Sequence, residues 1–116
     1  MVQYRWSEAE MILAADLADS RGWKGPNSAT PEVVQLSELL KMARIHPKHD
    51  RPQSFRSPGS VSLKVNNLIG SHPDAPKKPL RTSAAEEPIV ARFVEDRVTM
   101  KERAAEIREQ IKRGEL

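Results

Sequence analysis

Apolar residues recur along this chain at the spacing of helices, with little of the two-residue alternation that marks half-buried strands. Met11, Ala14, Ala15 and Ala18, with Leu17 at the edge, form the first stripe and predict a helix. Ser7 and Glu10 stand at capping-box spacing, where hydroxyl and carboxylate each satisfy one orphan amide of the first turn. Trp6, before the cap, and Met11, inside the helix, are spaced as a hydrophobic staple. Gly22 suits the far end as a C-cap, and residues 24–29 read as a loop. Thr30-Pro31-Glu32 is a second start, with a capping hydroxyl, a proline whose missing amide is not needed there, and an acid near the positive helix end. Val33, Leu36, Leu40 and Ala43 follow, with Leu39 beside them. Pro47 ends this helix by about Arg44 or Ile45.

Ser57-Pro58-Gly59 opens a third helix with Val61, Val65 and Leu68 on its inner side and Ile69 at one edge, closing at Gly70 or Ser71. Ser71–Thr82, with three prolines, predicts an extended loop or a reduced wing. Ser83 and Glu86 have capping-box spacing for a fourth helix, with Pro88 in or near its first turn and Ile89, Val90, Phe93 and Val94 on its buried face. Thr99 and Glu102 repeat the pattern for a fifth, whose stripe is Met100, Ala104, Ile107 and Ile111. The expected fold is therefore all-α, with about five helices. The order helix, helix, basic loop, helix suggests a helix-turn-helix or winged-helix relative with a reduced or irregular wing. Its second connection is longer than the standard turn of three or four residues.

Composition narrows this picture. The 116 residues suit one domain, and no cysteine is present to build a disulfide framework or a thiolate metal site. No apolar run approaches the ~20 residues of a membrane span, and the start lacks a signal-peptide core. A cytoplasmic protein with no membrane partner is expected. Net charge is +3, but unevenly spread: residues 1–40 carry −3, 41–81 carry +7 and 82–116 carry −1. A positive segment of this kind fits a polyanion, because neutralised phosphates release counterions. Lys48, Arg51, Arg56, Lys64, Lys77 and Lys78 are the candidate cations. Asp50 is expected to pair with Arg51 or Lys48.

The third helix carries the candidate chemistry. Its inner stripe leaves Gly59, Ser60, Leu63, Asn66 and Asn67 on the outer side, with Lys64 on the flank and no carboxylate. Serine and asparagine can bond to phosphates or base edges, and Leu63 can touch a thymine methyl. The helix start at Ser57–Ser60 offers amides and a positive dipole end to a phosphate, and Arg56 stands just before it.

Arg5-Trp6-Ser7-x-x-Glu10, followed by Phe55-Arg56-Ser57-Pro58-Gly59-Ser60-Val61-Ser62-Leu63-Lys64-Val65-Asn66-Asn67-Leu68, resembles the N-terminal head region of McrA-like HNH restriction endonucleases. The likeness is to actinobacterial type IV enzymes of the ScoMcrA kind, which act on modified DNA. Phe93-Val94-Glu95-Asp96 before the last helix is similar too. The resemblance implies a double-stranded DNA-binding accessory domain at the N-terminus of a larger multidomain protein. By residue match it makes Arg56, Ser57, Ser60, Lys64 and Asn67 DNA-facing.

Catalytic chemistry is not indicated. The HNH nuclease motif is missing, and His46, His49 and His72 lack its context. No phosphate-binding glycine loop is present, and nothing marks a base for a serine nucleophile. His46-Pro47-Lys48-His49 lacks the carboxylate support of a metal site. The expectation is a non-enzymatic module without cofactor or metal, binding duplex DNA largely through its backbone. With no aromatic cage in view, it should not discriminate methylated from unmodified duplex. A second reading makes the last helix a protein-interaction or homodimer surface, with its apolar stripe exposed.

Overall fold

The computed structural model describes residues 4–48, 51–74 and 85–116. Among them are five helices and no strand: α1 (Glu8–Ser20), α2 (Pro31–Met42), α3 (Pro58–Gly70), α4 (Glu86–Glu95) and α5 (Arg97–Lys112). Helix α1 is the hub, in contact with all four others, whereas α3 and α5 do not touch. Its nine consecutive residues Glu10–Ala18 are all buried, so Ile12, Leu13 and Asp16 face neighbours just as the Met11 stripe does. A helix covered on all sides needs no amphipathic pattern.

Local chemistry explains most boundaries. Ser7 accepts from the Glu10 amide, and the Ser7 amide donates to Glu10 Oε1 at 2.9 Å, completing the capping box. At the other end Gly22 donates to the Asp19 carbonyl and Trp23 to the Ala18 carbonyl at 2.7 Å. Gly22 has φ +66°, the left-handed conformation this paired closure requires. Trp23 continues it at φ +62° and packs edge-on against Phe93. Pro31 stands in the first turn of α2, but Thr30 makes no side-chain cap; its hydroxyl accepts from the Asn27 amide instead. Helix α2 stops at Met42, ahead of the expected Arg44 or Ile45, because Ala43 turns extended.

Two further starts differ from expectation. Helix α5 begins at Arg97, capped by Asp96, which accepts from the Thr99 amide. Thr99 is thus inside the helix and not its cap. Helix α4 begins after Ala85 with no side-chain cap, and Ser83 lies outside the described residues. Asp96 both closes α4 and opens α5, so no loop separates them.

The last helix packs inward. Met100, Ala104, Ile107 and Ile111 are buried, and α5 contacts α1, α2 and α4. Charge pairs seal the α1–α5 seam. Asp16 is 2.6 Å from both Lys101 and Arg108, and Asp19 is 2.9 Å from Arg97. The stripe expected to serve a homodimer is therefore used within the chain. Among the described residues, no helix is long and apolar enough to cross a membrane.

Candidate nucleic-acid interface

The described residues between α2 and α3, 43–48 and 51–57, approach α1 as well as their own two helices. Phe55 and Arg56 are buried, and Arg56 takes φ +46°, uncommon for a residue with a side chain. What holds it there is a dense set of contacts. Its guanidinium donates from Nε to Glu10 Oε2 at 2.6 Å and from Nη2 to Glu10 Oε1 at 3.1 Å, a two-pronged pair. Nη2 also reaches the carbonyls of Tyr4 at 3.0 Å and Arg5 at 3.2 Å. The rings of Trp6 and Phe55 lie 4.4 and 4.8 Å from the guanidinium carbon. The Arg56 carbonyl accepts from the buried Ser37 hydroxyl at 2.6 Å, which ties α2 to the same point.

Glu10 is the other half of this cluster. It is 1% exposed and also lies 2.8 Å from His46 Nε2. Burial raises a carboxyl's pKa, but the bonds from Arg56, the Ser7 amide and His46 outweigh it, and Glu10 stays below its ordinary value. Tyr4, His46 and Phe55 meet edge to face around it, with ring centres 5.0–5.9 Å apart. Arg56, expected to face DNA, is 4% exposed and turned inward to Glu10. Its charge is committed to Glu10, and a phosphate could reach it only by breaking the cluster.

Other expected contacts are also diverted. Arg51 donates to the carbonyls of Lys41, Ala43, His46 and Pro47, which closes the open end of α2 and braces the loop. It also stacks on Phe55 at 4.1 Å. Lys64 pairs with the buried Glu86 at 3.1 Å and faces the Trp6 ring. Asn66 turns its amide to the carbonyls of Pro26 and Ser62, and its Oδ1 presses so closely on Gly25 that a side chain there would collide. Asn66 therefore pins the 24–29 loop. Ser57 caps α3 by accepting from the Ser60 amide.

What stays outward is narrower. Leu63 is 58% exposed, Gly59 is exposed, and Ser60 and Asn67 are half-buried. Lys41, Arg44 and Lys48 are exposed, and no acid occurs among the described residues from 41 to 73. Lys77, Lys78, His49 and Asp50 lie outside the described residues, as does most of the expected wing. Among the described residues no group of three or more metal-binding side chains is present.

Sequence reasoning misses the buried cluster because each member already has a sufficient local task. Glu10 suits a cap, Trp6 a staple and Arg56 a phosphate contact. The available signal is that Trp6 and Phe55 each stand next to an arginine, with the acid Glu10 one helical turn beyond Trp6. Comparison with protein-family models, curated proteins and solved structures finds no match to this chain.

Proposed function

We propose that this chain is a double-stranded DNA-binding accessory domain that contacts the phosphate backbone largely without sequence specificity. The parent protein in this reading is a modification-dependent restriction endonuclease of the HNH kind, with cutting assigned to another domain. Helices α2 and α3 act as a helix-turn-helix variant with an extended connection. The observation that carries the reading is the acid-free character of the described residues from 41 to 73, whose Lys41, Arg44 and Lys48 stay exposed while Arg51, Arg56 and Lys64 serve the fold. The outward residues Ser60, Leu63 and Asn67 complete the contact face. The resemblance to McrA-like heads contributes in a changed sense, since its signature residues Trp6, Glu10, Phe55 and Arg56 meet in the buried cluster. They support a shared architecture more than shared contacts.

The test is duplex binding measured against salt. Replacing Lys41, Arg44 and Lys48 with Gln should weaken binding and lower the slope of log K against log salt by about 0.9 for each phosphate no longer neutralised. Unchanged affinity at low salt in a folded triple variant would overturn the proposal. A homodimer through the apolar stripe of α5 is not favoured, because that stripe is buried.

A further inference from the structure

A cleft of about 300 Å³ opens between the second half of α1, the outer side of α2 and the last turns of α5. Leu17, Leu36 and Leu39 supply apolar lining. One wall is cationic: Arg108 and Lys112 stand one helical turn apart on α5. Arg108 is anchored from below, with Nη1 2.6 Å from Asp16, so its position is set by a nearly buried carboxylate. The carboxylate nearest Lys112 is that of Glu109, at 3.9 Å. Across the cleft stands Glu32, itself engaged by Arg21 at 3.3 Å.

A small, mainly apolar cavity with a few placed polar groups is the usual form of a small-molecule site, and this volume is at the lower end of that range. Its charge asymmetry selects the ligand's sign. Glu32 on one rim is paired with Arg21; on the other, Arg108 spends one guanidinium nitrogen on Asp16, and Lys112, exposed and 3.9 Å from Glu109, is the loosely engaged cation. We propose that the cleft binds a small amphiphilic carboxylate. Its apolar body rests on Leu17, Leu36 and Leu39, and its carboxylate lies between Arg108 and Lys112. This site is independent of the DNA-binding reading, since none of its residues belongs to the 41–73 face.

Methyl-resolved NMR on the intact chain tests it, with 4-phenylbutyrate as probe and 4-phenylbutylammonium as its opposite-charge control. The Leu17, Leu36 and Leu39 methyl signals should shift saturably with phenylbutyrate, with a Kd of about 1 mM or tighter. The ammonium compound should bind at least about tenfold more weakly, as expected for like charges brought into one cleft. Lys112→Glu, at an exposed position, should reduce phenylbutyrate binding, and Gln35→Trp, which fills the cleft from its rim, should abolish it. Absence of a saturable shift, equal binding of the two probes, or full binding to folded Gln35→Trp would overturn the proposal.

Discussion

Arg56 combines an unusual backbone conformation, near-complete burial and a two-pronged ion pair. Removing one partner of such a pair leaves the other charge buried and alone, which typically costs about 3–5 kcal/mol. Arg56→Ala and Glu10→Ala should each destabilise the chain by about that much in urea unfolding. The double variant should fall well short of the sum, because the second substitution removes a charge already stranded. Acid should act on the same pair. Glu10's folded pKa lies below its ordinary value of 4.5, so its contribution is present above that value and is lost as pH falls through the lowered folded value. Melting temperatures of the wild type should drop on this acid limb, and Glu10→Gln should show a shallower drop. Sequence makes both residues conspicuous but not their contact. They lie 46 positions apart, and each has a sufficient local explanation.

Among the elements, α1 and α5 differ most from a simple periodic reading. The stripe expected for α1 is real but incomplete, since burial of Glu10–Ala18 on every side hides the contrast that periodicity needs. The α5 stripe is legible residue by residue, and only its partner is left open by the spacing. Its start differs because Asp96 and Thr99 both suit a cap, and the direct α4–α5 junction favours the earlier residue. Capping should be measurable where the bonds are formed. Ser7→Ala should cost about 1 kcal/mol, whereas Thr30→Ala, which removes no cap bond from α2, should cost less. Asp16→Asn should weaken the α1–α5 seam by about 1.5–3 kcal/mol, since it takes a charged acceptor from two cations. Chemical denaturation of the three variants checks the order.

For the molecule as a whole, the all-helical class, the number of helices and most of the core are legible in the sequence, because each depends on spacing within one segment. The charge distribution is legible only as a sum. The basic segment divides into cations that brace the fold and cations left outside, and that division depends on contacts between segments distant in sequence. Ending the chain at Asp96 should abolish the sigmoidal thermal transition in circular dichroism, because it uncovers the side of α1 that Met100, Ala104, Ile107 and Ile111 cover. The hub position of α1 has a further consequence for how the protein is made. This helix leaves the ribosome ahead of its four partners, and Asp19 meets Arg97 only 78 residues later. Until α5 emerges, the helix with the longest buried run lacks its full cover, and its apolar surface is open to association with other chains.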